Sequence, residues 1–136
     1  FTLHFGAFGG EPIRWSYFLL GLAGAFIFYT GNLLWIESRR KRERKAGAVE
    51  QTRATKVLGA LTVGVPTGTI AGIAVTLAAA KPLGASATEG LHSAIFYALL
   101  LGFIVVALLR GAARSGHELT YAAATMTFCV PIATLL

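Results

Sequence analysis

The sequence predicts an all-α integral membrane protein, a helical bundle with four transmembrane helices. Of its 136 residues, 55 % are hydrophobic and only 13 % are charged, whereas soluble domains carry about 25 % charge. Residues 13–36 form a continuous apolar run of the ~20 residues that cross a bilayer, and a dense basic cluster follows at 37–45. Because positive residues stay in the cytoplasm, this end of the first span is predicted to face inward.

The connector after the first span is predicted to be a basic cytoplasmic segment, residues 37–56. Its first part, ESRRKRERK, favours two further helical turns, with Glu37 and Glu43 paired to arginines at i,i+4 spacing. The net charge of +6 does not indicate a nucleic-acid partner, because most of the positive residues lie in this one cluster beside a spanning helix. Anionic lipid headgroups are the expected contact.

The second span is predicted at 57–80 and carries a row of small residues on one helix face. We call this row the glycine stripe: Ala60, Gly64, Gly68 and Gly72. In a membrane, such a stripe lets a second helix approach closely. Pro66 removes a backbone donor and is expected to kink the helix, with Thr62, Thr67 and Thr69 as candidates to satisfy the freed carbonyl.

Two more spans are predicted, one at residues 91–109 and a fourth from near Leu119 to the end of the sequence. A short external loop, 81–90, precedes the third span, and a second basic connector, 110–118, follows it. The two connectors, 37–56 and 110–118, hold ten of the twelve Lys and Arg residues. Four spans therefore fit one orientation, with both ends of the sequence outside.

Few residues are suited to catalysis or to metal binding. All six acidic residues are glutamates, and the sequence has no carboxylate pair, nucleophilic triad or zinc pattern. The single cysteine, Cys129, excludes an internal disulfide framework. Met126 is predicted to lie on the same helix face as Cys129, and such a pair is more typical of core packing than of a soft metal site. The sequence begins at Phe1 without a methionine and ends inside an apolar run, so we expect it to be part of a longer chain.

The three histidines are the candidate functional residues. His4 precedes the first span and His92 lies near the start of the third, so both are predicted at the outer level of the membrane, where they could face one b-type haem. His117 lies at the inner start of the fourth span. The alternative for each is an interfacial side chain that is hydrogen-bonded to backbone or lipid. The spacing of the histidines does not decide between these interpretations.

The first third of the sequence contains the motifs LHFGAFGG, IRWSYFLLGLAG and TGNLLWIESRRKR. They resemble the last conserved segment of PepSY-associated transmembrane proteins, the bacterial iron-regulated membrane proteins that include ferric-siderophore reductases. The resemblance implies a PepSY-associated transmembrane segment at 1–45 and a C-terminal membrane extension of three helices at 46–136. The matching elements are Leu3-His4-Phe5-Gly6, Phe8-Gly9-Gly10, Arg14-Trp15, Gly21, Thr30-Gly31, Leu34-Trp35 and the Arg39–Arg42 cluster.

The resemblance also implies a multi-pass protein of the bacterial inner membrane, with periplasmic PepSY domains between its earlier helices. Both ends of this sequence are then predicted to be periplasmic. Some members of the family bind haem b through histidines and pass electrons across the membrane to reduce ferric siderophores. By the resemblance, His4 is a candidate axial ligand. Its partner is expected to be either His92, which lies outside the recognised segment, or a histidine on an earlier helix of the same chain. No metal other than the haem iron is expected. Phe1, Phe5 and Trp15 are expected to shield the haem.

The leading functional prediction is haem-dependent electron transfer that supports ferric-siderophore reduction or iron uptake, which would make the protein an oxidoreductase. The expected partners are the lipid bilayer, the earlier helices and PepSY domains of the same chain, and a ferric siderophore. The alternative is a non-redox anchor or assembly module for periplasmic PepSY domains, packed through the glycine stripe. A small transporter subunit fits less well, because the spans lack the buried charges of an ion path.

Overall fold

The computed structural model of the protein describes residues 10–84 and 88–135. Within them the chain forms four helices, α1 (Gly10–Lys45), α2 (Arg53–Leu83), α3 (Glu89–Arg110) and α4 (Ala112–Leu135). The predicted all-α class is confirmed. In the described part of the chain, α1, α2 and α3 are long and apolar enough to cross a membrane. Helix α4 begins with the polar stretch AARSGHE, which shortens its apolar part.

The chain divides into two compact units, Phe1–Ser38 and Arg39–Leu136. The described residues of the first unit form the apolar part of α1, and none of their side chains is buried. Phe26 and Phe28, for example, are 68 % and 77 % exposed. Thr30 satisfies its hydroxyl inside the helix by donating to the carbonyl of Phe26 at 2.8 Å. An apolar surface with its polar groups bonded internally is suited to contact with lipid.

The second unit is built around α2, which packs against both α3 and α4. Small side chains dominate its core, so the helix backbones lie close together. The added Cβ of an alanine at Gly59 would lie 3.4 Å from the Cβ of Ala112, at the start of α4. Met126 packs against this core as expected, whereas Cys129 on α4 is exposed. The core residues are Ala60, Ala71, Phe103, Ala107, Leu119 and Ala123.

The glycine stripe of α2 packs directly on α3, which confirms the predicted close contact with another helix. A Cβ added at Gly64 would lie 3.0 Å from the Cα of Ile104. A Cβ added at Gly68 would lie 3.2 Å from the Cα of Leu100, and one added at Gly72 would lie 3.2 Å from the carbonyl oxygen of Phe96. Because these neighbours are backbone atoms, α3 occupies the space that larger side chains on α2 would need.

Helix α2 continues through Pro66, from Arg53 to Leu83. The prediction that nearby threonines satisfy the carbonyl freed by the proline is wrong. That carbonyl belongs to Thr62, whereas the hydroxyls of Thr62, Thr67 and Thr69 donate to the carbonyls of Leu58, Val63 and Val65. Each hydroxyl reaches the carbonyl four residues earlier because that is its nearest acceptor on a helix.

The predicted basic connector at 110–118 is also wrong. Helix α3 ends at Arg110 and α4 begins at Ala112, so Gly111 alone makes the turn. Its φ of 77° and ψ of 155° lie in a region that is open almost only to glycine. Ser115, which is fully buried, donates its backbone N–H and its hydroxyl to the carbonyl of Gly111 at 3.1 and 2.8 Å. These two bonds form the first turn of α4 directly after Gly111.

We expect Gly111→Ala to destabilise the second unit by about 1–3 kcal/mol, because a Cβ is strained at this φ and ψ. Unfolding in detergent, followed by circular dichroism, measures the effect. The matched control is Gly116→Ala, whose added Cβ meets nothing within 4 Å. Since Gly116 lies inside α4, alanine there should be neutral or stabilising by about 0.5–1 kcal/mol. Equal effects of the two substitutions would contradict this account of the turn.

Candidate functional site

His92 lies in the first turns of α3 and has two different ring nitrogens. Its Nδ1 lies 3.1 Å from the carbonyl oxygen of Thr88, the N-cap of the helix. A carbonyl can only accept, so Nδ1 carries the proton, and in the neutral ring Nε2 carries a lone pair. Nε2 is buried and makes no hydrogen bond in the structure. Histidines that bind metals through Nε2 commonly donate Nδ1–H to a backbone carbonyl in this way.

Thr76 on α2 has the second buried side-chain polar atom that lacks a hydrogen bond within the described residues. This atom is its hydroxyl oxygen, Oγ1. Thr76 stands four positions after Gly72 and so continues the row of the glycine stripe. A buried hydroxyl without a partner is costly. Thr76 was not among the residues predicted from the sequence, although it continues the four-residue spacing of the stripe.

The other two histidines differ from His92. His4 lies outside the described residues, so its role as a haem ligand stays a prediction. His117 is exposed at the start of α4. Its neighbour Glu118 forms an ion pair with Arg110 across the α3–α4 turn. The described residues contain no group of three or more His, Cys, Asp or Glu side chains that could hold a metal ion.

The start of α1 carries charged and aromatic side chains that are suited to the membrane interface. Arg14 forms an ion pair with Glu11 at 2.9 Å. Trp15 and Phe18 make an edge-to-face contact with their ring centroids 5.9 Å apart. Trp15 is 61 % exposed, which suits a ring at the level of the lipid headgroups.

A polar cluster joins the end of α1 to the start of α2, and we call it the Glu43 clasp. The carboxylate of Glu43 accepts from the hydroxyls of Thr52 and Thr55, each at 2.6 Å, and from the backbone N–H of Thr52 at 3.2 Å. Thr55 is only 1 % exposed. The sequence predicted arginine partners for Glu43 and missed these threonines, because they lie nine and twelve positions away.

The clasp lowers the pKa of the Glu43 carboxyl. The hydrogen bonds from Thr52 and then Thr55 hold the pKa of Glu43 below its ordinary value of 4.5. Attraction to Arg39, the i,i+4 neighbour, lowers the pKa in the same direction. Glu43 is therefore an ionised acceptor at neutral pH, and it holds together two segments that are rich in positive charge.

Residues 1–38 match the family described as the PepSY-associated TM region. The match covers 38 of the 136 residues. This PepSY-associated region includes His4 and the apolar part of α1, while His92, Thr76 and the Glu43 clasp lie beyond it. No curated protein and no solved structure matches the chain. The similarity to PepSY-associated membrane proteins therefore applies to the first 38 residues.

Proposed function

We propose that the protein takes part in haem-dependent electron transfer in the bacterial inner membrane, in support of ferric-siderophore reduction or iron uptake. The observation that carries this proposal is the PepSY-associated region at residues 1–38, which contains the Leu-His-Phe-Gly motif with His4. Membrane-spanning helices α1, α2 and α3 are consistent with it. When bound, haem b supplies one-electron transfer at its iron.

His4 and His92 are the residues that would hold the haem. For His92, the donor chemistry fits, because Nδ1 donates to the Thr88 carbonyl and Nε2 keeps its lone pair. In the present position of the ring, a haem iron cannot reach Nε2, because this atom is buried. Ligation by His92 therefore requires its ring to turn out of the protein interior. His4 is the first ligand to test.

The proposed topology places the basic segments 37–56 and 110–118 in the cytoplasm and α4 across the membrane as a fourth span, with both ends of the sequence periplasmic. The support is the distribution of charge, since ten of the twelve Lys and Arg residues lie at 37–56 and 110–118. In this orientation the basic residues meet anionic lipid headgroups. Within the second unit, α2 and α3 run antiparallel, because Gly64 lies against Ile104 and Gly72 against Phe96.

A second candidate function is a non-redox anchor or assembly module for periplasmic PepSY domains. The glycine stripe supports it, because the close contact of α2 with α3 builds a compact helical unit. The two functions differ in what they require. Electron transfer depends on histidine ligands, whereas an anchor depends on helix packing.

The test is the visible absorption spectrum of the full-length protein, purified in detergent and measured before and after reduction with dithionite. We expect a sharp reduced α-band in the wild type that His4→Ala largely abolishes and His92→Ala weakens. His117→Ala is the matched control and should leave the band unchanged, because His117 is exposed at the opposite end of the helices. Absence of a haem band in wild-type protein expressed with added haem would overturn electron transfer and favour the anchor. A band that is indifferent to both His4→Ala and His92→Ala would overturn the proposed ligands.

A further inference from the structure

Two buried polar atoms without hydrogen bonds occur within the described residues, and their chemistry is complementary. The hydroxyl of Thr76 on α2 is a donor, and Nε2 of His92 on α3 is an acceptor, because Nδ1 of the same ring carries the proton. Unpaired groups of this kind are especially unfavourable where the surroundings are apolar. A partner that joins the two atoms would satisfy both.

The register of the two helices places these residues at one level. Along the interface, Gly64 lies against Ile104, and Gly68 lies against Leu100. Gly72 follows against Phe96. Each step of four residues forward on α2 is a step of four residues backward on α3, as expected for antiparallel helices. The next step brings Thr76 opposite His92.

Thr76 also differs from the other threonines of α2. The hydroxyls of Thr62, Thr67 and Thr69 donate to the carbonyl four residues earlier, at 2.6 to 2.8 Å. The hydroxyl of Thr76 makes no such bond. It is therefore available to a partner outside its own helix, at the position where threonine follows the glycines of the stripe.

We infer that the haem-free protein binds one water molecule between Thr76 and His92. The water accepts a hydrogen bond from the Thr76 hydroxyl and donates one to Nε2 of His92. Water is the ligand that fits, because the two atoms are not in direct hydrogen-bonding contact and a buried water needs at least two polar partners. The water fits the Nδ1–H form of the ring that the Thr88 carbonyl selects, and it links α2 to α3 beyond the glycine stripe.

This inference concerns the haem-free protein and stands apart from the proposed function. Iron ligation by His92 and the hydrogen bond from water use the same lone pair of Nε2, so haem loading at His92 would displace the water. The inference is therefore tested without haem, and the proposed function is tested by the visible spectrum with haem. Either can fail without the other.

The experiment is nuclear magnetic resonance of haem-free, full-length protein in detergent, with ¹⁵N-labelled histidine. We expect His92 to show a protonated Nδ1, a hydrogen-bonded and unprotonated Nε2, and magnetisation transfer from a long-lived water. Thr76→Val should abolish the water signal and move the Nε2 resonance toward its unbonded position, while Thr76→Ser should restore both. Thr69→Val is the matched control and should change neither, because the Thr69 hydroxyl bonds to Val65 in its own helix.

Three results would overturn the inference. One is a wild-type spectrum without contact between water and His92. Another is an Nε2 resonance that Thr76→Val leaves unchanged. The third is direct transfer from the Thr76 hydroxyl proton to Nε2, which would mean that the two side chains bond to each other without water.

Discussion

Substitution of Gly68 by alanine is expected to destabilise the packing of α2 on α3 by about 1–3 kcal/mol, the usual cost of overfilling a packed site. The added methyl group would lie 2.9 Å from the Cβ of Phe103 and 3.1 Å from the carbonyl oxygen of Leu100. Neither neighbour is the flexible end of a side chain, so the helices must move apart. Gly68→Leu should have a larger effect, because its side chain extends further into α3.

Unfolding of the purified protein by a denaturing detergent, followed by circular dichroism, measures this effect. Gly102→Ala is the matched control, because Gly102 also lies inside a helix and its added Cβ meets nothing within 4 Å. Alanine at Gly102 should be neutral or slightly stabilising. A Gly68→Ala protein as stable as the Gly102→Ala protein would contradict the close packing of the stripe.

The second large effect is expected at the Glu43 clasp and depends on pH. The pKa of Glu43 in the folded protein is lowered by its bonds to Thr52 and Thr55, so ionisation favours the folded clasp. The stabilisation is complete above the ordinary pKa of 4.5 and is lost as the pH falls below 4.5 through the lowered value. The protonated carboxyl accepts more weakly, and the start of α2 should open.

Hydrogen exchange of the Thr55 amide, corrected for its intrinsic rate, reports this opening, because this N–H donates to the Thr52 hydroxyl inside the clasp. We expect protection to fall below pH 4.5 in the wild type. In Glu43→Gln, protection should be lower at neutral pH and should not change across the same range. Glutamine keeps one acceptor oxygen for the threonine hydroxyls, but it has no charge, and its NH2 group cannot accept from the backbone N–H of Thr52.

Glu50→Gln is the control for the clasp. The pKa of Glu50 is also lowered, through its hydrogen bond and attraction to Lys56, but that ion pair is exposed to solvent. An exposed pair contributes little to stability, so Glu50→Gln should leave the Thr55 amide protected. Retention of the wild-type pH profile in Glu43→Gln would refute the role of the carboxylate.

Local patterns in the sequence predicted much of the fold. Continuous apolar runs are sufficient to identify helices α1, α2 and α3 as candidate spans, and the structure confirms them. The basic cluster at 37–45 was predicted to extend the first helix, and α1 runs to Lys45. The glycine stripe was predicted to accept another helix, because small residues at every fourth position leave room on one face.

Other features depend on residues that are far apart in the sequence or on backbone angles. Gly111 makes the α3–α4 turn alone, because its φ of 77° reverses the chain where the sequence favoured a longer connector. Helix α4 starts at Ala112 for the same reason and begins with polar residues, so the predicted fourth span is not among the candidate spans of the described residues.

The same distinction between local sequence patterns and tertiary structure applies to the candidate site. The sequence by itself selected His4 and His92 as the histidines at one membrane level and placed His4 in a PepSY-associated motif, since residue type and distance from a span are local properties. Only the structure showed that His92 Nδ1 donates to the carbonyl of Thr88, which depends on how the first turn of α3 is capped. Only the tertiary structure decided that α3 is the partner of the glycine stripe and that Thr76 lies at the level of His92. These last two features arise from the antiparallel register of α2 and α3, which is set by contacts between residues far apart in the chain.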